Sequence, residues 1–288
     1  MARSTVHGVA GLLVGALVVI TWLASASQVS DAAPAAPTPT TPVPTTPAAA
    51  TVPPRPSTAE LEAVDTDAHF SVAAVDADTK EALTYGDDSF DTASIVKVDI
   101  LAALLRRRQQ DSRPLTDTEQ ALATAMIERS DNAAATSLFE AVGGKAGLDA
   151  FNDVIGLDDT VVGSNGCWGL TQTTAVDQLR LLEVIFGEHS TLDAHSQAYA
   201  RQLMSHVVEG QNFGVSAAAD DRAESSLKVG YLQRSATRLW DVTSIGEIEA
   251  GGRTYLVAVL TDGSASYDEG VALTEDVARA AVAGLSAI

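Results

Sequence analysis

Cysteine is nearly absent from this chain, in which Cys167 is the only one among 288 residues. A single thiol cannot form an internal disulfide, so packing alone must stabilise any folded domain. The sequence also lacks zinc-type spacing among its later histidines, His69, His189, His195 and His206, which argues against a structural zinc site. Because it has no glycine-rich phosphate loop and no dinucleotide fingerprint either, we expect neither a metal nor an organic cofactor.

Positive charge is scarce as well, since 18 Lys and Arg stand against 38 Asp and Glu. Before residue 59 the only residues of these four types are Arg3, Asp31 and Arg55. Residues 59–288 therefore carry 37 acidic and 16 basic side chains, a formal net charge of −21. Such a surface repels nucleic acids and anionic lipid headgroups, and we expect neither as a partner.

The first 58 residues lack the pattern of a folded domain. Arg3 precedes an apolar run over 9–23, and the small residues at 24–26 resemble a cleavage site, so residues 1–26 are predicted to be an export signal. The run is about 15 residues, shorter than the ~20 of a membrane span, but an uncleaved anchor is the alternative. Residues 27–58 are rich in Pro, Thr and Ala and are predicted to tether a domain over 59–288. These features predict an exported, extracellular or cell-envelope protein.

Strand and helix patterns are segregated along residues 59–288. Alternating apolar residues predict a β-hairpin over 69–86, and strand patterns return at 226–232, 238–249 and 253–262. Helical periodicity is found between them and at the end, over 94–108, 116–129, 132–143, 145–155, 173–187, 190–209 and 270–287. This order predicts an α+β fold, in which both chain ends share one antiparallel sheet, the helices form a second lobe, and a cleft separates the two.

The stretch DTASIVKVDI, residues 91–100, places a lysine among apolar residues. Ser94 and Lys97 share one face of a helix, so the serine Oγ can approach the lysine amine. Burial lowers the pKa of an amine, and a neutral lysine is a base that can activate a serine. The alternative is a snorkelling lysine beside a capping serine. The pattern alone is weak, because Ser225 and Lys228 repeat it.

Two further motifs follow in the chain. Ser130-Asp131-Asn132 stands between two predicted helices. Lys228-Val229-Gly230 stands on a predicted strand, where a glycine lets a ligand lie close along the edge. S-x-x-K, S-D-N and K-T-G in this order mark class A β-lactamases and penicillin-binding proteins. With K-V-G as its third motif, the chain resembles this family of penicillin-recognising serine hydrolases over most of residues 66–287, with the β-lactamase/transpeptidase-like fold.

The resemblance implies catalytic roles for three residues. Ser94 is implied as the acylated nucleophile, and Lys97 as its base or proton relay. Ser130 is implied as the proton shuttle to the leaving nitrogen. The neighbouring Asp131 is interpreted as a structural hydrogen-bonding residue rather than a catalytic one.

It also implies a substrate-binding set. Asn132 is implied as a partner of the substrate amide, and Lys228 as a positive charge near the substrate carboxylate. Gly230 belongs to the strand along which the substrate lies. The backbone N–H groups of Ser94 and Tyr231 are implied as the oxyanion hole.

The loop before the later helix departs from the class A β-lactamases. Those enzymes hydrolyse the acyl-enzyme with a glutamate there, whereas residues 160–174 of this chain contain no carboxylate. A general base is often worth ~10²–10⁴ in rate, so deacylation is expected to be slow. Asp158 and Asp159 are not assigned this role, and Asp177 is a weak candidate at best. Trp168 and Cys167 are interpreted as packing the loop.

Two other departures concern binding. Val229 replaces the threonine of K-T-G, and a lost hydrogen bond to a charged group costs about 1.5–3 kcal/mol, so affinity for penicillins is expected to fall. The segment 106–115 is shorter than the family's excursion between its first two motifs, which predicts a more open cleft. The arginines at 106–108 are interpreted as a solvated helix end.

Three functions follow from these features, all for a monomer. The first is an exported serine hydrolase that forms an acyl-enzyme on Ser94, with a cell-envelope peptide, amide or ester as substrate and weak β-lactamase activity at most. The second is a penicillin-binding acyl-transfer enzyme for D-Ala-D-Ala-type peptides. The third is a non-catalytic binding domain of the cell envelope. Ser94, Lys97, Ser130 and Lys228 count against the third, because a decayed site usually loses one of them.

Overall fold

The structure is a computed structural model that describes residues 56–286. The predicted signal over 1–26 and nearly all of the predicted tether over 27–58 lie outside the described residues, and both stay predictions. Among residues 56–286, no helix combines the length and apolar character needed to cross a membrane.

Both ends of the described region contribute to one antiparallel sheet. The strands of the protein are β1 (His69–Asp76), β2 (Ala82–Tyr85), β3 (Phe90–Asp91), β4 (Gln172–Thr173), β5 (Ser226–Gln233), β6 (Trp240–Ala250) and β7 (Arg253–Ser264). Five of them form the sheet in the order β2-β1-β7-β6-β5. β1 pairs with β7 along its whole length, from His69 opposite Asp262 to Asp76 opposite Tyr255. The predicted α+β class, with its sheet built from both chain ends, is confirmed.

The helices occupy the middle of the chain and its end. They are α1 (Ala59–Glu62), α2 (Val96–Gln110), α3 (Asp117–Glu128), α4 (Asn132–Ala141), α5 (Gly144–Ile155), α6 (Ala175–Phe186), α7 (Ala194–Met204) and α8 (Tyr267–Ser286). Thr116 starts α3 with a capping box to Glu119, as its sequence pattern predicts. The helix predicted over 190–209 is wrong in extent, because the Asp193 side chain caps a shorter α7 at Ser196.

Two apolar clusters lie on opposite faces of the sheet. On one face, Ala258 and Leu260 of β7 belong to the cluster built by α2 to α7. On the other face, Val257 and Val259 of the same strand pack with the buried side of α8. This alternation follows from the two-residue period of a strand. The sheet is therefore covered on both faces, and α2 lies within the larger cluster.

One sequence interpretation of α2 is wrong. Arg108 does not lie in solvent with the rest of the arginine run but is buried, and it forms an ion pair with Glu119 and another with Asp111. These pairs join the end of α2 to the start of α3. Because α2 has 15 residues and a helix rises 1.5 Å per residue, its connection to α3 lies about 22 Å from the first turn of α2.

Short strands fix the segment that precedes α2. Asp91 of β3 pairs with Gln172 of β4, so the loop over 160–174 is joined directly to this segment. Arg234, which follows β5, forms ion pairs with both Asp91 and Asp241. The start of α2 is thus held by the loop on one side and by the β5–β6 hairpin on the other.

Candidate active site

Ser94 lies in a tight turn between β3 and α2. The structure has a 3-10 turn over Ala93–Ile95, and α2 begins only at Val96, two residues later than predicted. Ala93 has a φ of +46°, in the left-handed region that alanine rarely adopts. Backbone strain of this kind is concentrated at functional sites, where the surroundings hold it in place. The turn brings the Ser94 side chain to the start of the helix that carries Lys97.

Lys97 is the centre of the site. Its side chain is 0% exposed, and its Nζ donates to Ser94 Oγ at 2.9 Å, Ser130 Oγ at 3.0 Å and Asn132 Oδ1 at 2.8 Å. The Ser130 carbonyl oxygen also lies 2.7 Å from Nζ, so four oxygens compete for the three N–H groups of the ammonium. Burial lowers the pKa of Lys97 to about 8, although the charge of Asp131 opposes the shift. A fraction of these amines is neutral near pH 7 and able to accept the Ser94 proton over the same 2.9 Å.

The S-D-N motif reaches this amine through an unusual turn. Ser130 has a φ of +55°, the second non-glycine residue of the site in the left-handed region. Asp131 caps α4 by accepting from the Ala134 N–H at 2.7 Å. The cap places Asn132 in the first turn of α4, facing Lys97. Asp131 therefore has a structural hydrogen bond of its own, and Ser130 and Asn132 carry the polar groups that face the nucleophile.

Lys228 brings a second buried amine to the site. It is 0% exposed, and its Nζ donates to the Val229 carbonyl at 3.0 Å and to Gln211 Oε1 at 3.3 Å. Burial, assisted by the charge of Lys97, lowers its pKa to about 7. Both of its acceptors are neutral. A bound carboxylate would relieve the repulsion between the two amines and favour their charged forms.

The rest of the K-V-G strand approaches the nucleophile closely. A Cβ on Gly230 would lie 2.6 Å from the Ser94 nitrogen and 2.7 Å from the Thr92 oxygen, so only glycine fits here without a shift of the backbone. Tyr231 comes next, with a ring that is 43% exposed and lies 5.0 Å from that of Tyr267. Val229 is buried in the apolar cluster under α8 and offers no donor at its position.

The loop over 160–174 is fastened by a carboxylate that lies outside it. Asp177 is fully buried, and its Oδ2 accepts from the Asp159 N–H at 2.9 Å and from the Thr160 hydroxyl at 2.8 Å. Its Oδ1 pairs with Arg180 at 2.8 Å. Asp177 is therefore committed to holding the loop, and it does not supply the missing base.

Trp168 has a contact that sequence reasoning missed. Its side chain packs against the large apolar cluster, whereas Cys167, which was also interpreted as a packing residue, is exposed. Its ring also lies over Lys97, with the Nζ 5.2 Å from the ring centroid, and its Nε1–H donates to Thr136 Oγ1 at 3.2 Å. No local sequence pattern indicates this contact.

Comparison with known proteins identifies the family of this chain. Residues 114–285 match the model of the Beta-lactamase enzyme family, which is more than half of the chain. The match begins after the turn that carries Ser94 and Lys97, and the structure places that turn against the matched part. The chain belongs to the β-lactamase enzyme family. No protein of curated function matches it.

Solved structures show the same fold. A class A β-lactamase from Bacteroides cellulosilyticus superposes with a TM-score of 0.67 at 17% identity, covering 78% of this chain and 94% of its own. An ancestral class A β-lactamase gives 0.62 at 24% identity, with coverages of 75% and 94%. A variant of penicillin-binding protein PBP-A, solved as its acyl-enzyme with penicillin G, gives 0.66 at 20% identity, with coverages of 77% and 92%. The predicted resemblance to class A β-lactamases and penicillin-binding proteins is confirmed at the level of family and fold.

The close approach of Gly230 to the nucleophile yields a first prediction. Gly230→Ala should lower the rate of acylation of Ser94 by about 100-fold, because displacement of a reacting group by about 1 Å has effects of this size. The measurement is the rate of covalent modification of Ser94 by a penicillin. Gly169→Ala is the control, since its Cβ would lie 3.7 Å from the Ala93 oxygen, in ordinary contact. Equal losses in both variants would contradict the argument.

Proposed function

We propose that this protein is a serine hydrolase that forms an acyl-enzyme on Ser94 with Lys97 as the base. The observation that carries the proposal is the 2.9 Å contact between Lys97 Nζ and Ser94 Oγ, made by an amine whose pKa is lowered to about 8. The proton of Ser94 passes to the neutral amine as Oγ attacks the substrate carbonyl carbon. Backbone N–H groups of Ser94 and Tyr231 then stabilise the oxyanion.

Ser130 completes the first half of the reaction. Its Oγ lies 3.0 Å from Lys97 Nζ, so the proton taken from Ser94 can move through Ser130 to the leaving nitrogen. The carbon–nitrogen bond breaks, the amine leaves with that proton, and the acyl group stays on Ser94 as an ester. Lys97 returns to its neutral form.

We propose a substrate that carries a carboxylate near the scissile bond. Lys97 and Lys228 are both buried amines, and the acceptors of Lys228 are neutral oxygens. An anionic group is therefore the ligand that this end of the site favours electrostatically. A peptide, amide or ester of the cell envelope fits this description. β-Lactamase activity should be weak at most, because the loop over 160–174 has no carboxylate and Val229 offers no hydroxyl.

A second candidate is a penicillin-binding acyl-transfer enzyme acting on D-Ala-D-Ala-type peptides. The observation that favours it is again the loop without a carboxylate, since a site that cannot activate water leaves the acyl-enzyme available to an amine acceptor. The similar fold of PBP-A, captured as an acyl-enzyme, is compatible with this chemistry. A non-catalytic binding domain is the third possibility, and the first experiment below separates it from the other two.

Intact-protein mass after mixing with a penicillin tests the proposal. The protein should gain the mass of the drug and keep it for hours, whereas Ser94→Ala should gain nothing. Lys97→Ala should form the adduct about 10²–10⁴-fold more slowly, because it lacks the base. Lys145→Ala is the matched control, since that lysine lies on the surface of α5 and pairs with Asp149.

Each outcome selects one function. Adduct formation without release supports the acylation site that both enzymatic candidates share, and transfer of the acyl group to an added amine would then select the second, while fast loss of drug without an adduct would mean a true β-lactamase with another base. Adduct formation at equal rates in the wild type and Lys97→Ala would remove Lys97 as the base. If neither an adduct nor loss of drug is seen, and an activated D-Ala ester gives the same result, the non-catalytic binding domain is the remaining function.

The pH dependence of acylation gives an independent check. The base must be neutral to take the Ser94 proton, and the pKa of Lys97 is lowered from 10.5 to about 8. The rate constant should therefore rise about tenfold per pH unit well below pH 8, and it should level off at a pH somewhat above 8, because a bound carboxylate raises the pKa of Lys97 in the complex. It should be measured at saturating substrate, because Lys228, with a pKa of about 7, loses its charge over the same range and binds a carboxylate more weakly. A flat profile would contradict the proposal.

We also propose that the protein is exported, as the apolar run over 9–23 and the small residues at 24–26 indicate. Cleavage after Ala26 should leave a mature chain over 27–288, which intact mass of the secreted protein would identify. Ala26→Gln should block cleavage, because the site requires a small residue. Recovery of the full chain in the membrane fraction would favour an anchor instead.

A further inference from the structure

Four oxygen atoms and an aromatic ring surround the amine of Lys97. Ser94 Oγ, both oxygens of Ser130 and Asn132 Oδ1 lie within 3.0 Å of its Nζ. The remaining contact is the face of the Trp168 ring, 5.2 Å away at its centroid. With the side chain 0% exposed, bulk water has no access to the amine.

The position of Trp168 is fixed by its own loop. Its carbonyl oxygen accepts from the Thr171 hydroxyl at 2.7 Å, and that hydroxyl accepts in turn from the Gly163 N–H at 3.1 Å. Gly163 is required there, because a Cβ would lie 2.1 Å from the Cys167 oxygen. The indole N–H reaches across to Thr136 of α4 at 3.2 Å. Hydrogen bonds therefore hold both the backbone of Trp168 and the edge of its ring.

Trp168 also belongs to the helix turn that faces the nucleophile. The short 3-10 helix Trp168–Leu170 packs against the turn that carries Ser94. The ring lies over the same amine that bonds Ser94 Oγ. The ring therefore covers the side of the Lys97 amine on which no hydrogen-bond acceptor lies.

We infer that Trp168 shields the acyl-enzyme from water and so sets its lifetime, an inference that rests on the proposed acylation of Ser94. Hydrolysis needs a water that attacks the ester carbon while its proton passes to a base. The bond from that carbon to Ser94 Oγ then breaks, and Oγ regains a proton. Of the bases in the described residues, Lys97 is the one bonded to Ser94 Oγ. The indole occupies the side of Lys97 from which a water would have to reach it.

The inference assigns Trp168 a positioning role that differs from packing. Acylation uses the 2.9 Å contact between Lys97 and Ser94, which the indole does not interrupt. Deacylation by water needs a second molecule beside the same amine, and there the indole excludes it. Removal of the ring should therefore speed the second step, whereas it should slow the first at neutral pH, because water raises the pKa of the exposed amine.

Two substitutions of Trp168 test this with a penicillin adduct and intact mass. Trp168→Ala should shorten the half-life of the adduct by about 10-fold or more, since a water then gains access to a base. Acylation should be slower in this variant at neutral pH, because hydration moves the pKa of Lys97 back toward 10.5. Trp168→Phe keeps a ring over Lys97 without the indole N–H and should retain a half-life close to that of the wild type. Leu170→Ala is the matched control, because Leu170 lies on the same turn and is 47% exposed.

The outcomes separate this inference from the proposed function. An adduct that persists equally in the wild type and Trp168→Ala would overturn the shielding role and leave acylation intact. Absence of any Ser94 adduct in the wild type would overturn both. Equal shortening in Trp168→Phe and Trp168→Ala would mean that the bond to Thr136, rather than the ring, sets the lifetime, and would also overturn the inference. Circular dichroism of each variant detects loss of the fold, and in that case Trp168→Leu replaces the alanine variant.

Discussion

The burial of the Lys97 amine is the constraint on which the site depends. An ammonium without solvent is costly unless polar groups replace the water, and here oxygens of Ser94, Ser130 and Asn132 do so. The compensation is incomplete, because none of these oxygens carries a charge. The remaining cost appears as a pKa near 8, and this shift is what makes the lysine a usable base.

The elements around α2 hold this arrangement together. β3 is paired to β4, Arg234 joins Asp91 to Asp241, and Gly230 lets β5 come within contact of the nucleophile turn. Two strained residues, Ala93 and Ser130, stand where the chain delivers a side chain into the site. Strain of this kind persists only where neighbouring contacts exceed its cost, and for Ser130 the bonds to Lys97 supply such contacts.

Local sequence signals predicted most of the fold and the motif residues. Features that depend on neighbouring residues, or on spacings that a helix or strand defines, could be predicted from the sequence. They are the hairpin, the cap at Thr116 and the three motifs. The contacts that were missed join distant residues. Nothing near Arg108 indicates Glu119 as its buried partner, and nothing near Trp168 indicates that its ring covers a lysine 71 positions earlier. Such contacts depend on how the helices pack, which periodicity alone does not determine.

The enclosure of Lys97 makes the two halves of the proposed reaction unequal. A desolvated base favours acylation here, because Ser94 Oγ lies at hydrogen-bonding distance from it before the substrate binds. With the shielding role inferred for Trp168, a water does not reach that base, and Asp177, the nearest carboxylate that follows the loop in sequence, is occupied by Thr160 and Arg180. In the proposed reaction, hydrolysis therefore depends less on the acylation residues than on what the 160–174 loop places beside the lysine. In this chain that group is an indole ring.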